Sequence, residues 1–305
     1  MIPAVVVALA LAAGKALGQE EDPAPVVLAG TLAKARASGA VTLAFRESSI
    51  PFSYLSARKE PIGYSIELCK KVVEAIGEAV SKELAIRWLA VTSETRIEAI
   101  TSGRADLECG STTDNLERRK LVAFSPTIFV AGTKLLVQRG SPIRSFRDLG
   151  GKTVVATAGT TNEKAMQEIA RRFKVTFKLA TARDHAESYA RLEAGDADAF
   201  ATDDVLLYGL LAQHKAQKKY QVVGEFLSYD PYGIMFRRGD EQLAALVKQV
   251  FHDLAEDGEV ERQYKRWFLQ RLPASGSAGQ SLDLPMSPQL ETLIRASRRS
   301  SHENR

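Results

Sequence analysis

Two stretches of this 305-residue chain follow the same short pattern: Ala99–Asp106 reads AITSGRAD and Arg191–Asp198 reads RLEAGDAD. Each is a helix end, a small residue, a glycine, one variable position, Ala-Asp and then an apolar run. The glycine stands where a helix C-cap needs positive φ. The alanine after it lets the chain turn tightly into a sheet. Each apolar run then meets a polar cluster: Gly110-Ser111-Thr112-Thr113 after the first, Thr202-Asp203-Asp204 after the second. Ligands of open parallel sheets gather at the carboxyl ends of strands. The echo therefore predicts two similar α/β lobes that deliver hydroxyls and carboxylates to one edge. Chance is the alternative, since helix–Gly–strand turns are common in α/β proteins.

The rest of the chain fits that plan. Val41–Phe45, Ala85–Leu89, Ala105–Cys109, Lys152–Thr157, Val175–Leu179 and Asp198–Ala201 read as strands, and Thr127–Val137 is a long run rich in β-formers. Ser65 reads as the cap of a helix in which Leu68, Val72, Val73 and Ile76 recur at helical spacing. Ser93 reads as the cap of a helix carrying Ile97 and Ile100 and ended by Gly103. Asn162–Phe173 and Asp184–Glu193 supply further helices. Strands alternating with helices of this length predict parallel α/β sheets.

Ile2–Ala13 is an apolar run, too short to span a bilayer, followed by Ala16-Leu17-Gly18 and an acidic stretch. It reads as a secretory signal peptide over residues 1–18, although no Lys or Arg precedes the run. A buried helix of the mature fold is the other reading. Export would permit a disulfide, and Cys69 and Cys109 are the only pair; two buried free thiols fit the sequence equally well. The formal net charge is +4 and no Lys/Arg run exceeds three, so no nucleic-acid stripe is present. Four scattered histidines and two cysteines predict no metal site. The Ser/Gly/Pro-rich segment from Ala274 reads as a surface extension whose end, from Arg298, frays.

Three polar clusters begin at predicted strand ends: Arg46-Glu47-Ser48-Ser49, Thr92-Ser93-Glu94-Thr95-Arg96, and Gly110-Ser111-Thr112-Thr113 with Arg118 beyond it. Together they can place three guanidiniums and several hydroxyls around one cleft. Guanidinium forks bind carboxylates bidentately. Each arginine alone could equally sit on a solvated face. In the second half Thr160 and Thr161 open a helix at a strand end, His185 opens the next, and Asp203 follows a strand. Asp203 could hold an ammonium or cap the helix after it. No nucleophile elbow, P-loop or dinucleotide fingerprint occurs. This inventory favours binding over catalysis, with no cofactor.

The strings RESSIPFSY, PIGYSIELCKKVVEAI, ECGSTTDNLERR, FRDLGGKTVVATAGTTNE and DHAESYARLEAGDADAFATDD resemble the periplasmic solute-binding proteins of polar amino acid ABC transporters, in the glutamate/aspartate branch. The likeness runs from about Val41 to Phe268. It implies a type II periplasmic-binding-protein fold: two α/β lobes joined by two crossing strands, matched by Thr127–Val137 and Asp230–Phe236. Lobe 1 would comprise 24–131 and 233–273, lobe 2 132–232, with 274–305 as an extension. The resemblance implies a monomer in the periplasm that captures L-glutamate or L-aspartate and serves a permease in the inner membrane. It assigns the α-carboxylate to Arg118 with Ser111 and Thr113. It assigns the side-chain carboxylate to Arg46, Ser93, Arg96 and His185, a further carboxylate contact to Thr161, and the ammonium to Asp203. Asp114 stands where Asn is common, and Ile234 where some relatives carry a cysteine, which removes one possible partner for Cys109. A dehydratase on the same fold, with Glu108 or Asp203 as general acid, is the rival reading.

Overall fold

The computed structural model describes residues 27–273 and 280–299. The expected leader lies outside the described residues. Two five-stranded sheets dominate. The first runs, edge to edge, Ala85–Ala90, Ala40–Phe45, Leu107–Glu108, Met235–Arg237, Val122–Phe124. The second runs Lys178–Ala182, Thr153–Thr157, Ala199–Asp203, Thr133–Gln138, Tyr220–Val223. In each, three parallel strands come first and an antiparallel strand pairs with the third of them. The two sheets thus share one topology.

The sequence echo sits at the same place in both, just before the third parallel strand, and hydrogen bonds explain it. The Asp106 carboxylate accepts from the Thr42 amide at 2.8 Å, while its own amide donates to the Thr42 carbonyl. Asp198 does the same to Thr153, also at 2.8 Å. Each aspartate therefore satisfies an amide at the start of the neighbouring strand and locks the two in register. Gly103 and Gly195 sit at φ 75° and 82°, which a side chain would disfavour.

Between the sheets the chain passes through a short ribbon, Phe129–Ala131 against Asp230–Tyr232, antiparallel with Tyr232 opposite Phe129. One strand leads through Gly132 into the second sheet, and the other through Gly233 and Ile234 back into the first. Phe52, Phe129, Tyr232, Tyr264 and Phe268 pack ring against ring around it, with centroids 4.4–6.1 Å apart. Edge-on and offset aromatic pairs of this kind add to what area burial alone supplies.

Several local expectations need correction. Ser65 caps nothing: the helix is Tyr64–Ala79, and the Ser65 hydroxyl donates to the Gly110 carbonyl at 2.7 Å. The helix after Ser93 is Arg96–Thr101; Thr95, not Ser93, stands at its cap position, and Thr92 and Thr95 bond each other's amides in the turn before it. The strand expected at Val175–Leu179 lies at Lys178–Ala182, because its register is set by pairing with Thr153–Thr157; Val175 and Phe177 instead pack beneath the sheet. Arg298 belongs to the helix Pro288–Arg299 and donates to the Ala255 carbonyl, while Leu290 and Ile294 bury into the main core. Residues 300–305 lie outside the described residues. Cys69 and Cys109 form a disulfide across 40 residues, tying the Tyr64–Ala79 helix to the strand end that carries Gly110 and Ser111.

Candidate functional site

The carboxyl ends of the parallel strands of both sheets face one narrow cavity, closed down to about 10 Å³. Arg46, Ser93, Arg96, Ser111 and Thr113 line it from the first sheet's side. Thr160, Thr161, Asn162, His185, Asp203 and Leu206 line it from the second. Eight of the nine residues singled out from sequence therefore meet in one place. The ninth, Arg118, borders the cavity: its guanidinium donates to the Thr113 carbonyl at 2.8 Å and reaches the Gly159 carbonyl at 3.5 Å.

Arg46 follows the Ala40–Phe45 strand and is 1% exposed. Neither terminal nitrogen has a hydrogen-bond partner. Burial and the nearby Arg96 lower its pKa to about 10, against the pull of Glu108. Arg96, on the first turn of its helix, donates to the Thr112 hydroxyl at 2.7 Å and the Ser111 carbonyl at 3.3 Å, while its Nε is unpartnered. Thr112 donates in turn to Glu108 at 2.5 Å. That chain fixes the Arg96 fork from behind, away from the cavity. Burial lowers the Arg96 pKa too, and burial with repulsion from Arg96 brings Arg118 to about 9. The Ser93 and Ser111 hydroxyls are buried without partners. Buried N–H and O–H groups left unpaired are costly, so this cluster is built to receive acceptor atoms.

The opposite wall carries the carboxyl group. Asp203 is 3% exposed and begins the Asp204–His214 helix, but its side chain makes no cap. It accepts instead from the Asn162 amide at 2.7 Å and from the Tyr232 hydroxyl. Burial first, then the neighbouring Asp230, raises its pKa well above the usual carboxylate range. Thr113 and Thr161, from opposite sides of the cavity, approach to 3.2 Å, and Thr113 also donates to Asp230 at 3.1 Å. His185 is 2% exposed; its Nδ1 lies 2.8 Å from the Thr157 hydroxyl. Burial, then Arg46 and Arg96, holds its pKa well below the ordinary value, so the ring is neutral at pH 7.

Sequence reasoning missed Asn162 and Leu206 as lining residues, and Tyr232 and Glu108 as the groups that orient Asp203 and Arg96. Asn162 stood next to the Thr160-Thr161 pair, and a polar residue in the second position of a helix that opens on a site was the available signal. Tyr232 comes from the crossing ribbon, and no local pattern links it to Asp203, 29 residues away.

A scan against family models matches residues 41–270 to the bacterial extracellular solute-binding proteins, family 3. The chain is 44% identical over 276 residues to the L-glutamate/L-aspartate-binding protein of Pseudomonas aeruginosa, covering 89% of this chain and 90% of that one. It is 36% identical over 291 residues to the glutamate/aspartate import solute-binding protein of Escherichia coli K12, covering 95% and 94%. A crystal structure of an arginine-binding protein mutant from T. maritima superimposes with a TM-score of 0.70 at 23% identity, over 79% of this chain and all of the other. The likeness to that structure concerns the fold alone. On its matched span, its shared sheet topology and its relatives, this chain belongs to the bacterial extracellular solute-binding proteins, family 3.

Proposed function

We propose that this protein captures an acidic amino acid, L-glutamate or L-aspartate, outside the cytoplasm and delivers it to an ABC transporter permease in the inner membrane. Its place is the periplasm, it acts as a monomer, and it performs no reaction. The observation that carries the reading is the pairing of two buried, partly unpartnered guanidiniums, Arg46 and Arg96, with a single carboxylate, Asp203, across one cavity. An acidic amino acid carries a net charge of −1 from two carboxylates and one ammonium, opposite in sign to that surplus of guanidiniums over carboxylate. Arg46, Ser93, Arg96 and His185 would take the side-chain carboxylate. Arg118, Ser111, Thr113 and Thr161 would serve the α-carboxylate, and Asp203 the ammonium.

The two parts would be lobe 1, residues 24–131 and 233–273, and lobe 2, residues 132–232, closing about the crossing ribbon as the ligand bridges them. The dehydratase reading finds less support. Glu108 is not among the lining residues, and one of its oxygens is engaged by Thr112. Asp203 already has a donor on each oxygen. Calorimetric titration with L-glutamate, L-aspartate, L-glutamine and L-arginine tests the proposal. Glutamate or aspartate should bind at least a hundredfold tighter than glutamine, since a neutral side chain leaves buried charge uncompensated. Tighter binding of glutamine or arginine would overturn it.

A further inference from the structure

His185 enters the cavity through a chain of hydroxyls whose hydrogens can be assigned. The Ser188 hydroxyl lies 3.0 Å from the Asp184 carbonyl, which can only accept, so the single Ser188 hydrogen is used there. Thr157 lies 2.9 Å from Ser188 and must supply the hydrogen between them. Thr157 then has only lone pairs for His185 Nδ1, 2.8 Å away, so Nδ1 carries the ring proton. The reverse wiring would forfeit the Ser188–Asp184 bond. It would also place the ring's N–H on Nε2 in a cavity that Arg46 and Arg96 line, where an acceptor is the better match for their N–H groups. Both considerations select the tautomer whose remaining nitrogen, Nε2, offers a bare lone pair.

We propose that Thr157 and Ser188 are positioning residues that fix this tautomer, so that binding a dicarboxylic amino acid takes up one proton at His185 Nε2. The inference rests on the acidic-ligand reading above. A carboxylate only accepts, and so does Nε2 in this tautomer, so the two repel until a proton stands between them. The proton comes from solvent and ends on Nε2; no bond in the ligand breaks. Ligand charge then offsets the Arg46 and Arg96 fields that keep the free ring neutral. An amide side chain brings its own N–H and needs no proton.

The surroundings supply few other titrating groups. Arg46 and Arg96 face the ring from the first sheet's side, with Glu108 behind them. The Thr153–Thr157 and Ser48–Ser49 strands carry none, and the Lys178–Ala182 strand has only Lys178, at its far, exposed end. On the ring's own helix, Asp184 is engaged by the Glu187 amide and Arg183, and Glu187 by Arg191. Asp203 ends the remaining strand.

The test is calorimetry of L-glutamate binding at pH 7 in phosphate and in Tris, whose ionisation enthalpies differ widely; the dependence of the binding enthalpy on buffer counts protons. Ser188→Ala frees the Thr157 hydrogen to turn toward Nδ1 and moves the ring proton to Nε2. It should bind glutamate while taking up about one proton fewer than the wild type. Thr157→Ser, which keeps the hydroxyl, should match the wild type. Any contribution from Asp203 is common to all three proteins and drops out of the comparison. From pH 6 to 8.5 wild-type affinity should fall relative to that of Ser188→Ala, by up to tenfold per pH unit. Should Ser188→Ala fail to fold, the ¹⁵N histidine spectrum of the wild type decides: Nε2 should be unprotonated in the free protein and protonated in the glutamate complex. Glutamate binding with equal proton uptake in wild type and Ser188→Ala, or an Nε2–H in the free protein, overturns this inference alone. Failure of both glutamate and aspartate to bind overturns the functional reading and this inference with it.

Discussion

Replacing Arg46 with methionine should separate what closes this protein from what fills it. The Arg46 side chain is 1% exposed with both terminal nitrogens unpartnered, and its pKa falls from 12.5 to about 10. A drop of that size corresponds to about 3 kcal/mol against the charged form in the closed protein. At pH 7, below both values, the whole cost is present; it is relieved only as pH rises through 10. In an open form the guanidinium regains water, so its charge pushes the ligand-free protein toward opening. Arg46→Met keeps most of the volume and removes the charge. The ligand-free closed population should therefore rise relative to the open one, by at most roughly a hundredfold because the part of the cost that Arg96 imposes persists on opening, while glutamate affinity falls at least tenfold. Spin labels on Lys120→Cys, next to Arg119, and Lys164→Cys, on the helix that Thr161 opens, two exposed positions, would report the distance distribution. A ligand-free variant with the wild-type distribution and undiminished glutamate affinity would refute the reasoning.

Three further variants probe other parts of the molecule. Cys69→Ala with Cys109→Ala opens a 40-residue loop in the folded chain's only cross-link among the described residues and should cost about 4 kcal/mol in urea unfolding; an unchanged midpoint would contradict it. Gly209→Ala puts a Cβ 2.3 Å from the Ile50 carbonyl, across the junction between the Asp204–His214 helix and the first half of the chain. Since alanine favours the helix itself by about 1 kcal/mol, ligand-free melting should hold while glutamate affinity drops at least tenfold, and calorimetry finding no loss would count against a closed form packed this tightly. Asp203→Asn removes the ammonium's partner, so glutamate should lose roughly 10- to 100-fold in affinity while glutarate, which lacks the ammonium, should not; equal losses for both would sink the assignment.

The sequence exposed the parts of this molecule that repeat and hid those that depend on a distant neighbour. The Gly-x-Ala-Asp echo is readable because its function is local: the glycine ends a helix, and the aspartate bonds an adjacent strand in both sheets. The cavity residues of the first half follow strand ends, where topology alone predicts them. Hydroxyls were the ambiguous type. Ser65 and Ser93 carry the local signature of helix caps, yet one holds the Gly110 loop and the other faces the cavity, because a hydroxyl's partner is decided by tertiary proximity. Asp203 has the same ambiguity, resolved by Tyr232 and Asn162. The shifted strand at Lys178–Ala182 shows a register set by its neighbour rather than by its own apolar residues. The tautomer of His185 needs three residues from two elements and has no trace in the sequence.

The most direct measurement is a crystal structure of the protein with L-glutamate. The γ-carboxylate oxygens should lie within about 3 Å of the Arg46 and Arg96 guanidinium nitrogens, and the ammonium against Asp203. A ligand whose carboxylates both avoid Arg46 and Arg96, or whose ammonium lies away from Asp203, would contradict that placement.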